Sequence, residues 1–246
     1  MSKATNQLLA SILVNSVYEM RNYPVVLLNT VLSPFSFLLI ITLASRGALF
    51  GEAIEGGLVM TMFSAGTSLQ ADLSHLKNDF KLQDVVVATP TSAFVYVSGM
   101  TLSELIYASP ALVLLSALFV VYVHTTLLGL AAIVGVMMLM FLSSVSLGFL
   151  LATISSDIVQ SYAFSRLFTT LFSTIPPVYY PITYIPLPFR YLAYLSPTTY
   201  ASEIAQNAAG LLSQSELDLA LAWLILAATT AVFFVITVKK SRWRDR

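Results

Sequence analysis

Two ionisable side chains, Glu104 and Arg166, stand inside otherwise apolar stretches of this 246-residue chain. A lone charge in hydrocarbon costs at least about 2.5–3.5 kcal/mol, so each is expected to have a partner or a function. Glu104 lies about ten residues, and Arg166 about eight, into stretches that run from the same side, which puts both ~12–15 Å deep at 1.5 Å per residue. The matched depth permits an intramembrane charge pair, Glu104 with Arg166, that locks two spans together. The competing reading leaves each charge with water or backbone near the inner interface. The two histidines, His75 and His124, fall at opposite ends of a bilayer, ~30 Å apart, and share no site. There is no cysteine, which removes thiolate catalysis, disulfides and sulfur-ligated metals. No Gly-rich loop ending in Lys-Ser or Lys-Thr occurs, and no His-Glu-x-x-His, so neither ATP hydrolysis nor metalloprotease chemistry is expected. No catalytic, cofactor-binding or metal-binding residue is assigned, and the chain is expected not to be an enzyme by itself.

The elements that position these residues follow from hydropathy. The chain is 57% hydrophobic and 10% charged, with a mean hydropathy of +0.83. Soluble domains carry about 25% charged residues, and a chain with so few cannot cover its surface for water. Lipid is the expected solvent. A spanning helix needs about 20 largely apolar residues, and six stretches qualify: 24–43, 56–71, 94–123, 127–154, 158–175 and 217–238. The second is the most polar, with Thr61, Ser64, Thr67, Ser68 and Gln70, as suits a helix buried against others. His124, Thr125 and Thr126 alone separate the third and fourth, so these form a tight hairpin. The fold class expected is an all-α integral membrane protein of six transmembrane helices, with an N-terminal interfacial amphipathic helix and a re-entrant helical segment before the last span.

Basic residues are retained on the cytoplasmic side. With both termini inside, nine of the twelve Lys and Arg residues are cytoplasmic. Balanced charge, 12 acidic against 12 basic residues, leaves no polycationic surface for nucleic acid. Residues 1–22 hold no continuous apolar run and are not expected to be a signal peptide. Residues 4–22 instead place Gln7, Ser11, Asn15, Glu19 and Asn22 on one helical face and Leu9, Ile12, Leu13, Val17 and Met20 on the other. Such a helix is expected to lie flat at the cytoplasmic interface. Residues 45–55, with Glu52 and Glu55, read as a short outer loop, and 72–90 as the largest cytoplasmic loop. Residues 176–210 hold Pro176, Pro177, Pro181, Pro186, Pro188 and Pro197 among six tyrosines, Tyr180 included. That stretch is too apolar for a solvated loop and too proline-rich for a straight span. It reads as short helices dipping into the outer leaflet.

A channel would show a filter or ring of charge. A secondary transporter would show repeats and mid-membrane ionisable residues, for which only Glu104 and Arg166 stand as candidates. A secondary transporter or channel-like protein without an ATPase partner, or a membrane scaffold, are the alternatives the residues leave open. Two stretches narrow the choice: Asp79 to Pro90 (DFKLQDVVVATP) followed by Val97-Ser98-Gly99-Met100, and Pro176-Pro177-Val178-Tyr179-Tyr180-Pro181 with Ile185-Pro186 and Tyr194-Leu195-Ser196-Pro197-Thr198-Thr199-Tyr200. In order and spacing, the whole chain resembles the membrane (permease) subunit of type 2 ABC exporters. It departs in having Lys81-Leu82 where that family often has Gly-Thr, and Ser196 in place of Asn. The resemblance implies a permease that forms half of a translocation path and pairs with a second permease subunit, identical or related. It also implies a separate ABC-type ATPase subunit, which binds ATP and Mg, so that this chain binds no cofactor. The implied coupling element is the 72–90 loop, with Asp79, Phe80, Lys81, Leu82 and Asp84. The implied location is the cell membrane, among its lipids.

Overall fold

The computed structural model describes residues 3–78, 93–155, 157–174 and 176–240, and is helical with no strand among them. The chain opens with α1 (Lys3–Ile12), a π-helical turn (Leu13–Val17) and α2 (Tyr18–Asn22). Then come α3 (Pro24–Ala44), α4 (Phe50–Asn78), α5 (Ala93–Tyr122), α6 (Leu127–Ile154) and α7 (Ile158–Thr174). A 3-10 turn (Ile182–Tyr184), α8 (Arg190–Ala193), α9 (Pro197–Ala208) and α10 (Glu216–Lys240) complete it.

Among the described residues, four helical stretches are long and apolar enough to cross a membrane: Leu27–Ala44, Val95–Tyr122, Leu127–Ile154 and Glu216–Lys240. Their exposed faces are apolar. Leu28 and Leu43 on α3, Val120 on α5, Leu128 and Val134 on α6, and Leu224 and Phe234 on α10 all stand open, as suits helices covered by lipid or by a partner subunit. Helices α4 and α7 are not among the four, so the structure supports four spans where the sequence predicts six. The physical reason is composition. Helix α4 carries Glu52, Glu55 and Asp72, and α7 carries Arg166 in only 17 residues, about 25 Å of rise.

Helix α4 is the centre of the bundle. It packs against α3, α5, α6, α7 and α9, and every residue from Glu52 to Phe63 is buried. Small residues make that enclosure possible, because they let backbones approach closely. Gly66 of α4 lies against Ser144 of α6, and a Cβ added at Gly148 would sit 2.7 Å from the Gly66 carbonyl. The structure also corrects the expected outer loop at 45–55. Helix α4 begins at Phe50, and Glu52 and Glu55 are buried in it.

The N-terminal helices lie along α5, with Gln7, Ser11 and Asn15 of their polar stripe half-buried and Glu19 and Asn22 exposed. A Cβ on Gly99 of α5 would meet Ser11 Oγ at 2.6 Å. Asn15 donates to that hydroxyl at 3.2 Å. Tyr107 of α5 donates to Glu19 Oε2 at 2.6 Å. Leu9, Leu13, Val14 and Val17 are among the exposed residues. Here α5 gives Ser11 a close approach at Gly99 and Glu19 a hydrogen bond from Tyr107, and apolar residues of the other face are left outward.

Residues 176–214 wrap one end of the bundle. Thr126 caps α6 by accepting from the Gly129 amide, and Thr125 Oγ1 donates to the Ala208 carbonyl at 2.7 Å. The end of α9 is therefore level with the α5–α6 turn. The start of α9 lies deeper, where Thr198 Oγ1 donates to the Phe172 carbonyl at 2.9 Å and the Phe172 ring meets Phe63 edge-on at 5.6 Å. At 12 residues, α9 rises about 18 Å, too short to cross a bilayer. Ala201, Ile204 and Ala205 of α9 join Val59 and Phe63 of α4 and Val136 and Met140 of α6 in one apolar cluster.

Candidate transport cavity

Within residues 52–70 of α4, only Ser64 and Ser68 are exposed, and both face a cavity of about 430 Å³ between α3, α4, α5 and α7. The cavity follows α4 from Met60 to Asp72, twelve residues and hence about 18 Å. One end, toward the α5–α6 turn, is walled by Pro34, Phe37, Met60 and Tyr179. There the Phe37 and Tyr179 rings stack, with centroids 5.2 Å apart and planes 15° from parallel. The other end carries Glu19, Asp72, Glu104 and Tyr107. Its volume falls in the range of small-molecule sites, ~300–1,000 Å³.

Glu104 is buried at 6% exposure and takes a hydrogen bond from Ser68 Oγ at 2.6 Å. Asp72 and Glu19 act on the same carboxyl electrostatically. Arg166 stands exposed on α7, and among the described residues no hydrogen bond or ion pair joins it to Glu104. The structure therefore brings Glu104 together with Ser68, Asp72 and Glu19 in place of the arginine. Those partners come from α2 and α4, and matched depth along two helices could not reveal which faces meet.

A second set of polar contacts ties α4 to α7. Gln70 Nε2 donates to the Ser161 carbonyl and, at 2.9 Å, to Ser161 Oγ. The hydroxyls of Ser74 and Ser161 are 2.6 Å apart. Toward the α5–α6 turn, Glu55 is 1% exposed and neither of its carboxylate oxygens has a hydrogen-bond partner. Neither feature was singled out from the sequence.

The proline and tyrosine residues divide by depth. Pro176, Pro177, Pro181 and Pro197 are buried, Tyr180 is half-buried and Pro186 is exposed. Ser202 of α9 donates to the Pro177 and Val178 carbonyls at 3.1 and 3.2 Å. Arg190 binds the Thr183 and Ile185 carbonyls at 3.2 and 3.1 Å. Non-helical backbone without a ladder needs such partners. Burial pushes the Glu203 carboxyl above its usual range, while hydrogen bonds from Gln214 and Tyr194 pull it back.

The other expected residues, Asp79, Phe80, Lys81, Leu82 and Asp84, lie outside the described residues, which resume at Ala93 after α4 ends at Asn78. Among the described residues no group of three or more His, Cys, Asp or Glu is placed to hold a metal ion.

A family model described as ABC-2 type transporter matches residues 7–209. The chain belongs to that family. A search of the curated proteins finds no match. The ABC-2 transporter match takes in α2 to α9 and so includes every wall of the cavity. The chain is a membrane transport component, and the cavity is an internal space in such a component.

Proposed function

We propose that this ABC-2 chain is the permease of an ATP-driven exporter, forming half of a translocation path with a second permease subunit and taking its energy from a separate ATPase subunit that binds ATP and Mg. The observation that carries the reading is the family match across residues 7–209, joined to an internal cavity walled by α3, α4, α5 and α7. In this reading α4, enclosed by its neighbours, and α7 cross the membrane with the four apolar helices, and both termini are cytoplasmic. Residues 176–210 re-enter from the outer face, consistent with an α9 that starts beside Phe172 and ends beside Thr125. Coupling falls to the stretch joining α4 to α5, at the bundle end opposite the α5–α6 turn. ATPase closure can shift the membrane equilibrium only through a differential contact with such an element.

Apolar anchors carry most of an interface's energy. Phe80→Ala is therefore expected to uncouple ATP hydrolysis from transport in the reconstituted complex, and Lys81→Ala to matter less; unchanged transport and assembly in Phe80→Ala would sink the coupling assignment. The topology has its own test in this cysteine-free chain. Cysteines replacing the exposed Thr183 and Ser213 should both react with an impermeant thiol reagent from outside, and labelling of either from the cytoplasm would break it.

A further inference from the structure

The cavity is chemically two-sided. Its α5–α6 end is aromatic and apolar, with the stacked Phe37 and Tyr179 rings beside Met60. Its far end, about 18 Å away along α4, gathers the carboxyls of Glu19, Asp72 and Glu104. No Lys, Arg or His lines it among the described residues. Glu104 is buried, Asp72 half-buried and Glu19 exposed; carboxyls brought this close without a counter-charge repel one another, and the buried one loses hydration as well. Ser68 and Tyr107 supply neutral hydrogen bonds to two of them but no positive charge. A cation seated among them would supply it, and aromatic faces at the other end suit an apolar or aromatic body. An anionic cargo would meet like charge at one end and no partner at the other.

We infer that the cavity binds an organic cation of amphipathic shape, its positive group among Glu104, Asp72 and Glu19 and its apolar body against Phe37, Met60 and Tyr179. Building on the export reading, this names the chemical class of the cargo. A permanent lipophilic cation, tetraphenylphosphonium, is the probe, and its isosteric anion, tetraphenylborate, is the control.

Equilibrium dialysis of labelled tetraphenylphosphonium against the full-length chain in phosphatidylcholine nanodiscs, with empty nanodiscs subtracted for partitioning, reads the site. Saturable binding is expected that tetraphenylborate does not displace. Glu104→Gln keeps the shape and the Ser68 hydrogen bond and is expected to weaken it about tenfold, as is Asp72→Asn. Tyr179→Leu, which changes no charge, is expected to weaken it about threefold. Binding that is unaffected by both carboxyl changes, or equal displacement by the anion, overturns the cationic class. A co-purifying ATPase scored on the same preparations separates the two claims. Cation binding unchanged in both Glu104→Gln and Asp72→Asn with the ATPase present overturns the cargo class and leaves export standing. Carboxyl-dependent binding in a chain that never carries an ATPase supports the cation site and removes the export reading.

Discussion

Helices α4 and α10 differ in almost every property, and the difference shows what hydropathy measures. Helix α10 contains the most apolar window of the chain, with mean hydropathy 2.5, yet only 11% of it is buried. Helix α4 is too polar to stand among the four apolar stretches, yet its residues 52–63 are buried without a break. In lipid the solvent itself is apolar, so an apolar side chain gains little by leaving it. Polar groups gain by facing other helices, and glycines allow the close approach that burial needs. Hydropathy therefore reports which helices lipid surrounds, and it underrates the helix that the others surround.

The comparison breaks most readily at the α4–α6 contact. Gly66→Leu would drive a side chain into Ser144 and the Val145 amide, and overpacking a tight interface costs several kcal/mol where backbones cannot part. It is expected to abolish the monodisperse protein in a detergent gel-filtration assay. A well-folded Gly66→Leu protein would mean that the two helices are not in backbone contact.

The polar contacts of α4 come next. Removing one partner of a buried hydrogen bond costs ~1–3 kcal/mol, so Ser161→Ala, which takes the hydroxyl from Ser74 and leaves Gln70 only the Ser161 carbonyl, is expected to lower the unfolding midpoint measurably. A double-mutant cycle sharpens the Glu104 assignment. Ser68→Ala with Glu104→Leu should be coupled by about 1 kcal/mol, whereas Arg166→Leu with Glu104→Leu should add within ~0.5 kcal/mol. Coupling to Arg166 and none to Ser68 would restore the ion pair that the spacing suggested.

The smallest effect belongs to α10. Val232 is 53% exposed and in this account faces lipid, so Val232→Leu should change thermal stability by less than ~0.5 kcal/mol. A large loss there would place another protein surface against α10.

Legibility divides along the same line. The apolar runs of α3, α5, α6 and α10 could be read directly, because a helix facing lipid announces itself in composition. The proline-rich region before α10 was recognisable as neither loop nor span, because Pro and Tyr have strong positional preferences. Glu104 was recognisable as a charge needing company, but its company was not. Ser68 is 36 positions away on another helix, and periodicity within one helix carries no information about the angle of its neighbour. The N-terminal amphipathic stripe has the same ambiguity. Spacing sorts Ser11, Asn15 and Glu19 onto one face, while only α5, with Gly99 and Tyr107 at the right heights, decides that this face meets another helix. Glu55 was hidden by its position, since a carboxylate beside a short connection reads as solvated until the helix that carries it is seen to start earlier.

The account stands most directly on the energy source. The full-length chain, affinity-purified from its native membrane under mild detergent and reconstituted in vesicles, should bring with it a stoichiometric ATP-hydrolysing subunit, and transport of its cargo should require ATP. A chain that purifies free of any ATPase and moves cargo on an ion gradient alone would contradict it.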